Sequence, residues 1–256
     1  MNTSGVVEHI TTWLRDYSDK SHTKGYVIGV SGGIDSAITS TLCALTGKNV
    51  IVVNMPILQP PSQYERSNEH IAWLKNNFSN VISFDVDLTT SFKQLSNDLP
   101  EEIQDHLTMA NARARLRMTT LYAYAGHHGY LVVGTGNKVE DFGVGFYTKY
   151  GDGGVDISPI ADLMKTEVFA LAKDLNVVQS IQNAKPTDGL WDDDRSDEDQ
   201  IGATYPELEW AMEFEGDKSS LTEREIEVLA IYTKLNKANQ HKMNPIPICV
   251  IPEGLK

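Results

Sequence analysis

Residues Ser31-Gly32-Gly33-Ile34-Asp35-Ser36 put two adjacent glycines, two hydroxyls and a carboxylate between an apolar run, Tyr26-Val27-Ile28-Gly29-Val30, and a helix-forming stretch, Ala37-Ile38-Thr39-Ser40-Thr41-Leu42. The order is strand, glycine turn, helix start. Paired glycines let main-chain N–H groups crowd an oxyanion with no Cβ in the way. The helix N-terminus behind them adds unpaired donors and a partial positive charge. Ser31 and Ser36 add hydroxyl donors. Asp35 puts a carboxylate where an anion would bind, which makes sense if a divalent cation bridges the two. Ser31 to Ser36 are therefore read together as a phosphate cradle. The plainer reading is a tight turn with a serine cap; the strand before it and the Asp-Ser within it favour phosphate. The turn is not a Walker A loop, because Gly47-Lys48 is followed by Asn49, and Gly134-Thr135-Gly136 continues to Val139 without a dinucleotide fingerprint.

Five further stretches carry chemistry. Arg113, Arg115 and Arg117 lie two apart on a helical run, so Arg113 and Arg117 share a face and Arg115 points elsewhere. Apolar neighbours make that helix partly buried, and a guanidinium fork there suits phosphate or carboxylate. Thr135 ends an apolar strand, where it can bond a nucleotide, and Glu140 can join Asp35 on a metal. The plainer reading of Glu140-Asp141 is ordinary acid at a helix start. Phe146 to Asp156 mixes three aromatics, a lysine, glycines and two aspartates, a composition suited to a loop that stacks a ring and reads hydroxyls rather than to a core. Lys165 opens the next helix against its dipole, which calls for an anion partner. Lys185 to Trp191 and the acids after it read as an acidic loop able to close over a site.

Strands at Tyr26–Val30, Val50–Met55, Val81–Val86 and Tyr130–Gly134 would position these residues. They alternate with helices at 5–18 (capped by Ser4), Ser36–Thr46, Ser62–Asn77 and one long helix from Glu101 to about His127. In the first helix Val6, Ile10, Trp13, Leu14 and Tyr17 form the apolar face. Residues 135–160 read as a long loop, Asp162–Leu175 as helix, 185–220 as irregular and Thr222–Asn239 as a final helix. The alternation predicts an α/β, doubly wound, mostly parallel sheet with helices on both faces and ligands beyond the carboxyl ends of the strands.

The chain has 256 residues, 41% hydrophobic and 22% charged, enough for one large α/β core, and a single domain over 1–256 is the simplest division. Net charge is −13, which opposes nonspecific nucleic-acid binding and leaves polyanions dependent on local cations and metal. No apolar stretch is long enough to span a bilayer and the amino end lacks a signal peptide, so a cytoplasmic protein is expected. Cys43 and Cys249 are isolated and read as buried thiols.

The Ser-Gly-Gly-x-Asp-Ser turn resembles that of the N-type ATP pyrophosphatases. With SGGIDSA at 31–37, NARARLRM at 111–118, GTGNKVEDFGVGFYTKYGDGGVD at 134–156, KPTDGLW at 185–191 and HK at 241–242, nearly the whole chain resembles the bacterial ammonia-dependent NAD synthetases. The resemblance implies an adenine nucleotide alpha hydrolase-like fold and two steps. Deamido-NAD is adenylated by ATP with loss of pyrophosphate, and ammonia then yields NAD and AMP. Carried onto this chain, it assigns Asp35 and Glu140 to Mg²⁺, with Glu140 against Asp141 left open because spacing in that stretch varies. Thr135, Lys165 and Thr187, with Gly29–Ser36, would hold ATP; Arg115, Lys149, Asp156, His241 and Lys242 would hold deamido-NAD. Asp35, Lys165 and Asp152 would act in catalysis, Asp152 on ammonia or its proton. The resemblance further implies a homodimer with the dinucleotide site at its interface. A glutaminase domain is not expected, which makes free ammonia the nitrogen donor. The rival readings are a tRNA-modifying pyrophosphatase of the same superfamily and a nucleotide-sensing module.

Overall fold

In the computed structural model, which describes residues 1–187 and 196–256, four strands form one parallel sheet in the order β3-β2-β1-β4. β1 (Gly25–Gly29) pairs with β2 (Asn49–Asn54) on one side and β4 (Leu131–Val132) on the other; β3 (Val81–Asp85) is the far edge. Tyr26, Val27 and Ile28 of β1 and Val50–Val53 of β2 are buried throughout, as befits central strands covered on both faces. The chain runs outward from β1 to β3 and then crosses back to β4. Strand order therefore reverses between β1 and β4, and a crevice opens there beyond their carboxyl ends.

One face is covered by α1 (Thr3–Lys20), α2 (Ile34–Leu45), α3 (Pro61–Asn77), α6 (Lys165–Asp174) and α7 (Gln179–Gln182), packed around Leu14, Ile38, Leu42 and Leu171. The other is covered by α4 (Thr89–Asp98) and α5 (His106–His128), through Phe92, Met109, Met118 and Leu121. A third apolar cluster lies off the sheet, joining a π-helical turn (Val139–Val144) to α9 (Tyr205–Glu213) and α10 (Glu223–Met243).

Several elements depart from the sequence reading. The long helix expected from Glu101 begins only at His106, where Asp105 accepts from the Thr108 amide at 3.0 Å and makes a cap. The preceding α4 lies in a stretch to which the sequence reading assigned no element. Residues 135–160 are not all loop, since they contain the π-turn. The helix expected from Asp162 starts at Lys165. Residues 185–220 hold α8 (Asp197–Ile201) and α9, each opened by a capping box, Ser196 with Asp199 and Thr204 with Glu207. Asn2, not Ser4, caps α1, and Trp13 and Tyr17 stack on each other at its exposed face instead of entering the core. Cys43 is buried, whereas Cys249 is exposed. Among the described residues no helix is long and apolar enough to cross a membrane.

Candidate active site

The turn after β1 is wired before any ligand arrives. Gly32 takes a left-handed φ of 81°, and a Cβ there would meet the Gln63 carbonyl of α3 at 2.6 Å, so only glycine fits. The Ser36 hydroxyl is buried; it accepts from the Ser31 amide at 3.2 Å and donates to the Gly33 carbonyl at 3.0 Å. The two serines therefore brace the turn as well as facing the crevice. Gly29 to Ser36 line one wall of a cavity of about 650 Å³.

The chemical centre of that cavity is an ammonium shared by two carboxylates. Lys165 Nζ lies 2.6 Å from Asp35 Oδ2 and 3.0 Å from Glu140 Oε1, and Lys165 is only 3% exposed. The anion partner that Lys165 required at its helix start is thus this carboxylate pair. Asn137 braces the pair from below. Its Nδ2 donates to Asp35 Oδ1 at 3.1 Å, while its Oδ1 accepts the amides of Val139 and Glu140, both at 3.1 Å. The Tyr205 hydroxyl donates to Glu140 Oε1 at 2.6 Å, and the Tyr205 ring lies 4.6 Å from Lys165 Nζ.

Two carboxylates cannot both be neutralised by one cation, and the protonation equilibria reflect this. Burial opposes charge on Glu140, but the Lys165 charge and the Tyr205 hydrogen bond outweigh it and hold Glu140 below the usual range. Asp35 is pushed up, by burial first and then by the Glu140 charge, against the pull of Lys165. Lys165 is held above its usual value despite burial because both carboxylates favour its charged form. Beside this pair, burial and the charges of Glu140, Asp152 and Asp35 push Asp141 to about 7. Burial pushes Asp152 to about 6, against a hydrogen bond from the Thr148 amide at 3.0 Å. In this corner of the crevice the carboxylates of Asp35, Glu140 and Asp141 outnumber the single ammonium of Lys165.

That deficit fits a hard divalent cation. Among the described residues no three acidic, histidine or cysteine side chains converge as a complete metal cage. Magnesium, however, characteristically takes only one or two protein carboxylates and fills its shell with phosphate oxygens and water. Asp35 and Glu140 could supply two such oxygens, and Glu140 rather than Asp141 shares Lys165 with Asp35.

The other predicted residues divide into those the fold gathers here and one it does not. Thr135, Thr187, Arg115, Lys149, His241 and Lys242 all line the same cavity. Lys242 donates to the Gly145 and Tyr147 carbonyls and lies 5.0 Å from the Tyr147 ring centroid. Lys149 Nζ donates to the His241 carbonyl at 2.8 Å, and Arg115 Nε to the Lys149 carbonyl at 3.2 Å. Lys242 and Lys149 thus clamp the aromatic loop onto α10, and Arg115 ties it to α5, in addition to facing the crevice. Asp156 stands outside the cavity wall, accepting from the Val132 amide at 2.8 Å and the Tyr122 hydroxyl at 2.9 Å. The loop motif beyond Thr187, from Asp188 to Trp191, lies outside the described residues.

Sequence reasoning missed Asn137, Tyr205, Asn236 and Asn239. Asn236 donates to the Phe142 and Gly143 carbonyls at 3.3 and 2.7 Å, and Asn239 to Val144 at 2.7 Å. The only available signal was periodic: 236, 239 and 242 recur on one face of α10.

Comparison with known proteins agrees with this geometry. The family model described as NAD synthase matches residues 6–245. The NH(3)-dependent NAD(+) synthetase of Finegoldia magna is 38% identical over 210 residues, 82% of this chain and 84% of that protein. The synthetase of that name from Mycoplasma genitalium is 36% identical over 241 residues, 93% and 92% of the two chains. Among solved structures, an NMN synthetase from Francisella tularensis superposes with a TM-score of 0.86 at 28% identity, covering 99% of each chain. On the sequence match, the turn after β1 and the parallel sheet, this chain belongs to the NAD synthase family.

Proposed function

We propose that the protein is an ammonia-dependent NAD synthetase acting on deamido-NAD in two balanced steps. A nicotinate carboxylate oxygen attacks the α-phosphorus of ATP, and the bond from that phosphorus to the bridging oxygen of pyrophosphate breaks. Ammonia then attacks the activated carbonyl carbon; the C–O bond breaks, AMP leaves with the former carboxylate oxygen, and a proton is released. The observation that carries the reading is the buried Asp35–Lys165–Glu140 cluster set against the glycine turn at the carboxyl end of β1.

The residues divide the work by their chemistry. Main-chain amides of the turn and the Lys165 ammonium stabilise charge gathering on pyrophosphate, and one preorganised donor of this kind is worth roughly 2.7–4 kcal/mol. Asp35 and Glu140 would hold Mg²⁺, which when bound would neutralise phosphate charge and act as a Lewis acid. Thr135 and Thr187 would fix ATP, and Arg115, Lys149, His241 and Lys242 the deamido-NAD. Asp152, its carboxyl raised to about 6, would attract ammonium or accept its proton. No covalent enzyme intermediate is needed. In a homodimer a second copy of the chain would complete the dinucleotide site.

A second reading takes nicotinate mononucleotide in place of the dinucleotide. The likeness to the Francisella NMN synthetase, at 28% identity over 99% of both chains, is what favours it. Turnover of the purified protein on each acid, with ATP, Mg²⁺ and ammonium, separates the two. Under our reading kcat/KM is higher for deamido-NAD, and a higher value for the mononucleotide replaces it with the second. Glutamine in place of ammonium supports little turnover if free ammonia is the donor.

A further inference from the structure

Tyr205 belongs to none of the motifs that mark the site, yet its side chain is directly engaged with two residues of it. It is 3% exposed at the first turn of α9. Its hydroxyl donates to Glu140 Oε1 at 2.6 Å, the same oxygen that Lys165 Nζ holds at 3.0 Å. Its ring lies 4.6 Å from that ammonium. One side chain therefore fixes both the carboxylate and the cation beside it.

The phenol is itself held from three directions. The Thr204–Glu207 capping box sets the start of α9. The Tyr205 amide donates to Glu198 Oε1 at 2.8 Å. The ring is packed in the third apolar cluster with Val139, Met164 and Leu208. Burial, followed by the charges of Glu140 and Asp197, pushes its hydroxyl well above the usual tyrosine range, so it remains a donor. Residues that orient metal-holding carboxylates typically matter 10–100-fold in metal affinity.

We propose that Tyr205 is a positioning residue that aims the Glu140 carboxylate and the Lys165 ammonium at the cation and phosphates of bound ATP. This rests on the reading of Asp35 and Glu140 as the metal site. Tyr205→Phe removes the hydroxyl and keeps the ring. Mn²⁺ binding to the protein loaded with a non-hydrolysable ATP analogue, followed by electron paramagnetic resonance, is expected to weaken about 10-fold in Tyr205→Phe. The Mg²⁺ concentration for half-maximal turnover should rise in parallel, while KM for the nicotinate substrate stays within twofold. Mn²⁺ affinity within twofold of the unmodified protein overturns the proposal, and so does a fall in melting temperature with no change in metal affinity. Glu140→Gln is the control that separates the two claims. If it binds Mn²⁺ as the unmodified protein does, the metal reading fails and the proposal falls with it. If Glu140→Gln loses Mn²⁺ and Tyr205→Phe does not, the proposal alone fails.

Discussion

His70 gives this protein a calculable weakness in acid. Its ring is fully buried on α3, stacked on Trp73 with 5.6 Å between centroids, and its Nε2 lies 3.0 Å from the Ser40 hydroxyl. Burial lowers its pKa from 6.5 to about 4, outweighing the opposing effect of the Ala37 carbonyl. A histidine with a depressed folded value binds fewer protons folded than unfolded. Its contribution is complete above the unfolded pKa and is lost as pH falls from 6.5 towards 4. Between about pH 7.5 and pH 5 the two values give a loss of about 2 kcal/mol from this group alone. Asp141 and Asp152 work in the opposite direction. Their folded values of about 7 and about 6 lie above the unfolded one, so their penalty at neutral pH is relieved on acidification. The total profile therefore mixes signs, and the test is a difference. Urea unfolding of the unmodified protein and of His70→Gln, which keeps a polar partner for Ser40, is measured at both pH values. The variant is expected to lose about 2 kcal/mol less between them. Equal losses would refute the assignment of a neutral, desolvated ring.

Other consequences follow from the site. Asp35→Asn leaves Lys165 with Glu140 alone; pyrophosphate exchange into ATP should fall at least 100-fold while circular dichroism stays unchanged. Asp141→Asn removes a strained negative charge, and Tm of the ligand-free protein is expected to rise by about 2–4 °C for roughly 1 kcal/mol relieved, measured by calorimetry at pH 8. Gly32→Ala meets a carbonyl at 2.6 Å and an unfavourable φ, and ATP affinity by isothermal titration should drop about tenfold or more.

How much of this was legible depended on whether the physics was local. The turn at 31–36 was readable because its glycines, its apolar strand and its helix start are contiguous. The doubly wound sheet was readable because β1 and β2 are apolar on both faces. Lys165 announced an anion by standing against its own helix dipole, and the sheet supplied Asp35 and Glu140 from 130 and 25 residues away. The π-turn was not legible: six residues ending at a left-handed Gly145 look like glycine-rich loop until α10 binds their carbonyls. Nor was Tyr205, since a buried aromatic in a short helix reads as core, and it is core on every side but the one facing Glu140. Asp156 shows the converse, a motif residue whose carboxylate is spent on the Val132 amide and Tyr122.

In the proposed reaction a substrate carboxylate takes the α-phosphorus of ATP beside the turn after β1. Deamido-NAD labelled with ¹⁸O in both carboxylate oxygens, turned over with ATP, Mg²⁺ and ammonium, tests it by mass spectrometry of the products. One labelled oxygen is expected in AMP, one in the amide and none in pyrophosphate. Label released into inorganic phosphate, with ADP in place of AMP, would contradict it.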